Sequence, residues 1–322
     1  MVRAKSAAMT TRQTFLAGSA AAGSALAAGL RPIAASAATP IRVVYIPIVD
    51  ELPLYVGIDQ GFFKKRDLDV TGTPVANQGV LISALQSGSA EMGSSVLVSM
   101  LPAQEAGISL AAVATCVQFP VPHNVGVLAR TGSDIKSAKD LPGHKIAVAG
   151  LKAYFHVMVL RWLEEQKVDS SRVTFVEVAF PQMPDLLKAG QIDACVEVDP
   201  FFHRIIDQKI GYQVGDFEAT VPNGTIIDVY ATLKDWAVKN SAAVHAFRDG
   251  LTESIAFIKA NEASARESLG KWTKQPPAIV ATTLIPNFSV PVSAGQIQWW
   301  IDLAKKQGLI TSNINPRDML VS

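Results

Sequence analysis

The segments "ALQSGSAEMG" (84–93) and "LLKAGQIDAC" (186–195) decide the architecture, because each sets a leucine-bearing helix end, a glycine and then an acidic residue entering an apolar strand. A glycine ends a helix there because it takes a positive φ without strain. Extended outwards, the first copy becomes "IRVVYIP" (41–47), "PLYVGIDQGFFKKRDL" (53–68), "DVTGTPV" (69–75), "GVLISALQSGS" (79–89) and "AEMGSSV" (90–96). That order reads strand, helix, strand, helix, strand. The second copy repeats it with "KIAVAG" (145–150), "YFHVMVLRWLEEQKV" (154–168), "RVTFVEV" (172–178), "MPDLLKAGQ" (183–191) and "IDACVEV" (192–198). Val43 and Ile146 stand 103 residues apart, as do Val70 and Val173, and Gly88 and Gly190 stand 102 apart. Two similar α/β lobes are therefore expected, each a parallel sheet with covering helices.

Two stretches read as the joints between lobes: Phe119 to Asn124, with Pro120 and Pro122, and "VPNGTIIDVYATL" (221–233). If the C-terminal third packs back on the first lobe, the chain crosses twice. The first lobe then holds 38–122 and 225–322, the second 123–224, and a two-strand hinge joins them. Residues 241–261 carry Val244, Phe247, Leu251, Ile255 and Ile258 at helical spacing, one buried face. A further helix is expected over 294–310, where Trp299, Trp300 and Leu303 read as a packing face rather than a cage for a ligand.

Residues 1–37 are different in kind. They hold Arg3, Lys5, Arg12 and Arg31, no acidic residue, an Ala/Gly/Leu run from Phe15 to Leu30, and Ala35-Ser36-Ala37 as a small-x-small cleavage site. This is the pattern of a signal peptide cleaved near Ala37, and it implies export to the periplasm. The run is too short and too rich in small residues for a stable membrane span. Thr11-Arg12-Gln13-Thr14-Phe15-Leu16 is a twin-arginine-like motif with Gln13 in the place of one arginine, so the export route is Sec or a degenerate twin-arginine path.

Composition narrows the function. The chain has 322 residues, 49% hydrophobic and 18% charged, with a net charge of +1. Removing four cations and no anions with the signal leaves about −3, which offers nucleic acid no basic surface. Cys116 and Cys195 both lie in apolar runs and read as separate buried thiols. The five histidines show no i, i+4 pairing, so neither a metal site nor any other cofactor is expected. No Gly-x-Ser-x-Gly elbow, His-Glu-x-x-His pair or phosphate loop occurs, and no enzyme activity is expected.

Five stretches carry a family resemblance: "PLYVGIDQGFFKKRDLDV" (53–70), "LISALQSGSAEMGSS" (81–95), "AKDLPGHKIAV" (138–148), "LLKAGQIDACVEVDPF" (186–201) and "WAVKNSAAVHAF" (236–247). Together they resemble the nitrate/sulfonate/taurine-type periplasmic binding proteins, a family that also holds the fungal thiamine-pyrimidine synthase. The resemblance implies a type II periplasmic binding fold, in which a monomer closes on a small solute and delivers it to an ABC permease and its ATPase subunit. A sensor subunit for a membrane receptor has the same fold. The synthase class needs a cysteine-rich motif, and Cys195 here has no such neighbours.

Solutes in open α/β sheets lie beyond the carboxyl ends of the strands. For the first lobe this selects Asp50, Glu51 and Tyr55 after strand one, the turn at Asn77, Gln78 and Gly79, and Ser94 with Ser95. Asn77 suits either a ligand contact or a plain helix cap, and the two serines either donate to a ligand or cap the next helix. For the second lobe it selects "GLKAYFH" (150–156), where sulfonate-binding relatives place small hydroxyl residues. The bulk here favours a larger or flatter solute stacked on Tyr154, with Lys152 and His156 as candidates or as ordinary surface groups. Asp199, before Pro200, and Glu197 on the same strand face would bind an amine or ring N–H, unless Asp199 caps the following helix. Gln118, His123, Asn124 and Asp228 enter on hinge position. The ligand is thus expected to be a sulfonate, an aromatic acid or a pyrimidine-like compound.

Overall fold

Strand β1 (Thr39–Tyr45) opens the first sheet, and the chain then alternates through α1 (Leu52–Asp59), β2 (Leu68–Pro74), α2 (Gln78–Ser87), β3 (Met92–Val96), α3 (Leu97–Glu105) and β4 (Leu110–Thr115). The computed structural model describes residues 38–119 and 125–321, so the expected signal segment and the candidates His123 and Asn124 lie outside the described residues. After the first crossing come β5 (Val125–Arg130), β6 (Lys145–Val148), α4 (Tyr154–Glu165), β7 (Thr174–Glu177), α5 (Met183–Lys188), β8 (Ala194–Val198), α6 (Phe201–Asp207) and β9 (Gly211–Gly215). The chain returns as β10 (Asp228–Leu233) and ends in α7 (Lys234–Lys239), α8 (Ser241–Ala260), α9 (Glu262–Thr273), α10 (Pro277–Thr282) and α11 (Ala294–Lys306).

The two sheets have one topology. Their orders are β2-β1-β3-β10-β4 and β7-β6-β8-β5-β9. Val43 pairs with Met92 in the first and Ile146 with Ala194 in the second, so the repeat read from the sequence recurs in the register. The expected all-parallel sheets are corrected to mixed ones. β10 runs antiparallel to β3 and β4, and β5 antiparallel to β8 and β9. The reason is the crossing: each of these strands enters its sheet from the other lobe and so arrives from the opposite end. The crossing segments pair with each other, Phe119 N–H donating to Thr225 O at 2.8 Å and Ile227 N–H to Val117 O at 3.1 Å. This is the two-strand hinge.

The local signals act as their chemistry requires. Gly88 and Gly190 have φ of 69° and 68° and end their helices, with Ser89 and Gln191 N–H reaching back to Ala84 and Leu186 carbonyls. The C-terminal helices return to the first lobe, α8 on α1 and α11 on α3. Val244, Phe247, Leu251 and Ile258 of α8 are buried. Phe63 stacks on Phe247 at 5.0 Å between Gly57 and Gly250, where an added Cβ would meet its ring at 2.4 Å and 2.5 Å. Trp300 is fully buried, its ring N–H donating to Ile226 O at 2.6 Å, which ties α11 to the second crossing. Cys116 and Cys195 are free buried thiols.

Candidate functional site

A partly open pocket, with ≈ 440 Å³ of empty space counted together with the solvent at its mouth, lies where the carboxyl ends of both sheets face each other. The first sheet contributes Ile46 and Ile48 from the loop after β1, Gln78 from the start of α2, and Ser94 and Val96 from β3. Ile227 and Asp228 enter from the second crossing, at the start of β10. Across the gap stand Ala149, Gly150, Ala153, Tyr154 and Phe155, from the loop after β6 and the first turn of α4, with Phe180 beyond β7. Each lobe therefore supplies the edge that open α/β sheets use for ligands. The walls are mostly apolar, with a few converging polar groups, as in small-molecule sites.

The polar groups have distinct surroundings. Tyr154, 1% exposed, donates its hydroxyl to Glu218; burial, and then the Glu218 charge, push the phenol well above its usual range. It remains a neutral donor. No side chain caps α4 at Ala153, so the first-turn N–H groups of α4, which starts at the cavity wall, are unshared with a side-chain cap. Gln78 accepts from the Ser95 hydroxyl at 3.0 Å. Behind Ser94, Glu51 is fully buried, and burial, with a smaller push from the Asp50 charge, raises its carboxyl to about 8. The nearby Ser94 and Tyr230 hydroxyls pull the other way, yet neither Glu51 oxygen makes a hydrogen bond of ordinary geometry among the described residues.

The lobes are also bonded to each other around the cavity. Asn77 caps α2, accepting from Val80 N–H at 3.1 Å, and its amide donates to Glu177 Oε1 of β7 at 2.7 Å. Glu177 Oε2 takes the Leu151 N–H at 3.2 Å. Asp199 is fully buried and holds the His203 ring at 2.7 Å and the Leu284 N–H at 3.2 Å, while its carbonyl takes the Val49 N–H at 3.3 Å. The Asp199 hydrogen bond raises the His203 ring above its usual range. Lys306 of α11 pairs with Glu164 of α4 at 2.9 Å. These bonds hold the closed arrangement of a hinged cleft.

Of the sequence candidates, the structure brings Ser94, Tyr154 and Asp228 to the cavity. Asn77 and Ser95 stand one step behind, each bonded to a group at the rim or wall. Asp50 and Tyr55 are buried beneath the loop after β1; the Tyr55 hydroxyl donates to Ile48 O and its ring stacks on Trp272. Gln118 lines an open groove beside the hinge with Gly224 and Gln296. Lys152 is exposed at φ 63°, and its N–H donates to His156 Nδ1, whose ring packs on Phe175. Burial, with the Lys152 charge, lowers that imidazole. Glu197 is fully buried within the second sheet, where burial raises its carboxyl. Neither Glu197 nor Asp199 reaches the cavity wall. Gln78 and Phe155 stand in stretches that the sequence selected, the turn at 77–79 and residues 150–156, without being candidates by themselves, and Phe180 was not selected. Gln78 sits between the Asn77 and Gly79 signals, and apolar wall residues have the same sequence signature as core.

Residues 49–265 match the model of the family described as NMT1/THI5 like. The chain belongs to that family. Among relatives, this NMT1/THI5-like chain is 25% identical over 221 residues to a putative aliphatic sulfonates-binding protein of Escherichia coli (strain K12), covering 66% of each. It is 28% identical over 174 residues to a putative ABC transporter periplasmic binding protein of Brachyspira hyodysenteriae, covering 49% of this chain. The matches span just under two thirds of the first relative's length and 48% of the second's. Solved structures share the fold. The alkanesulfonate-binding protein SsuA from Xanthomonas axonopodis pv. citri, bound to MOPS, superposes at TM-score 0.76 with 22% identity, over 88% of this chain and 98% of that one. The periplasmic nitrate-binding protein NrtA from Synechocystis PCC 6803 gives 0.75 with 15% identity, over 87% and 84%. The fold of this NMT1/THI5-like chain is thus the type II periplasmic binding fold.

Proposed function

We propose that this chain is the exported solute-binding component of an ABC importer: a monomer that captures a small organic solute between its lobes and hands it to a permease and ATPase without chemical change. The single observation carrying this is the cavity between the carboxyl ends of two like-built sheets, closed by cross-lobe bonds and joined by a two-strand hinge. Division at 38–122 with 225–322 against 123–224 gives two lobes that move as bodies about the paired crossings. A solute touching both walls favours the closed form, and a permease that recognises that form is loaded only when solute is present. The relatives' printed descriptions as sulfonate-binding and periplasmic binding proteins agree with this reading.

The test is a thermal-shift screen of the protein from Ala38 with MOPS, nitrate, benzoate, benzamide, benzamidinium and 4-aminopyrimidine, followed by small-angle scattering on any responder. A solute at 100 times its Kd stabilises the folded state by about 2.7 kcal/mol, which raises Tm by several degrees. The responder should also contract the scattering envelope relative to solute-free protein. A cooperatively folding protein that answers to none of these, and yields no small molecule on denaturation after purification, would sink the proposal.

A further inference from the structure

Gln78 is 9% exposed, lines the cavity, and is the first residue of α2. Its amide oxygen is taken: the Ser95 hydroxyl, 1% exposed, lies 3.0 Å from Oε1. Its Nε2 has no partner among the described residues. Nε2 is not among the fully buried, unbonded atoms and so stays open to the cavity, where it presents a donor to whatever fills the space. A glutamine amide has two ends of opposite character, a double acceptor and a double donor, and which end faces a ligand reverses what it recognises.

We propose that Gln78 is a specificity-determining residue that presents a hydrogen-bond donor to the solute and so selects for an acceptor, and that Ser95 is the positioning residue fixing that sense. The deduction deepens the solute-binding reading and rests on it. Two features of the wall set the orientation. Ser95 has a poor alternative acceptor, the Val96 carbonyl at 3.4 Å, so its proton goes to the Gln78 oxygen. Asp228 lines the same cavity, and a negative charge at that wall favours an NH2 group over a carbonyl dipole turned into the space. On the second lobe's side of the same cavity, the first turn of α4, a twelve-residue helix, has no side-chain cap and offers further N–H donors. The solute class that satisfies both walls carries an acceptor, a carbonyl oxygen or ring nitrogen, reached by Gln78 and α4. That acceptor sits on a flat apolar body against Phe155 and Phe180. Carboxamides and amino-substituted nitrogen heterocycles have that layout; amidinium and simple ammonium ions lack the acceptor.

The first experiment needs no solute. In protein labelled with ¹⁵N at glutamine and ¹³C at alanine, isoleucine and serine, the Gln78 side-chain NH2 protons should give cross-peaks to cavity-lining residues such as Ile227 or Ala153, and none of comparable strength to the Ser95 β protons. Cross-peaks to Ser95 instead would overturn the assigned sense. The second compares benzamide, which has the acceptor, with benzamidinium, which has donors only. Wild type should favour benzamide at least tenfold. Gln78→Glu, which keeps an oxygen for Ser95 and removes the donor, should lose that tenfold, while Ser95→Ala should retain benzamide binding and narrow the preference below threefold. A wild type preferring benzamidinium, or a Gln78→Glu variant binding benzamide unchanged, refutes the role of Gln78 while the solute-binding reading stands. If neither probe nor any other solute of the screen binds, and no small molecule leaves the purified protein on denaturation although the cross-peaks fall as expected, it is the solute-binding reading that fails.

Discussion

The two lobes share one strand order and one register, yet they line the cavity with different chemistry. From the first sheet and its returning strand come Gln78, Ser94 and Asp228, the groups able to hydrogen-bond. From the second come small residues at 149, 150 and 153, the rings of Tyr154, Phe155 and Phe180, and main-chain N–H groups. The first wall sorts solutes by polarity, the second by shape. A duplicated scaffold thus leaves the strand-end loops free to diverge, since the loops set the surface while the strands hold it in place.

Substitutions should fall on either side of that division. The largest effect is expected behind the polar wall. Glu51 has a folded value of about 8 against an ordinary value near 4.5, so the stability associated with its protonated form is complete below pH 4.5 and is lost as pH rises through 8. Glu51→Gln removes the titration, and at pH 9 should be more stable than wild type by on the order of 4 kcal/mol, with little difference at pH 4. Urea denaturation at the two pH values measures this; equal differences at both would show that Glu51 is ionised and solvated.

On the shape wall, Ala153→Phe should weaken every solute by ~100-fold whatever its polarity, since overfilling costs about 1–3 kcal/mol. Titration with two chemically unlike probes would show whether the loss is uniform, as a shape filter requires. Between the walls, Glu177→Ala removes the acceptor shared by Asn77 and Leu151, an exposed cross-lobe contact. A fall in affinity of ~3–10-fold, mostly through faster release, is expected from losing about 1 kcal/mol in the closed form. Stopped-flow release rates would check it. The smallest change is Asn77→Ala. It loses the α2 cap and costs ~1 kcal/mol of stability, leaving the relative preference among solutes unchanged.

Much of the scaffold was legible in the sequence because it rests on local rules. Gly88 and Gly190 end helices because of their φ angles, and the offset near 103 residues reappears as matched pairing of Val43 with Met92 and Ile146 with Ala194. Strand direction was not legible. An apolar run such as "VGVLAR" (125–130) has the same residues whether it runs parallel or antiparallel, and only the crossing decides. The site was read partially for a related reason. Asp199 has the sequence position of a strand-end contact, but its neighbours in space, His203 and Leu284, occupy it. Gln78 stands in a turn that the sequence selected, but its own role has no sequence signature, because what distinguishes it is a bond to Ser95, seventeen residues away.

The exchange of antiparallel strands also sets a timetable. Synthesis runs from the N-terminus, and the first sheet lacks its fourth member, the strand between β3 and β4, until residues 228–233 exist. The second sheet draws all five strands from 125–215 and is complete earlier. The lobe that begins first therefore finishes last, and a chain stopped anywhere in the middle hundred residues presents β3 and β4 as two unjoined edges, open to pairing with another chain.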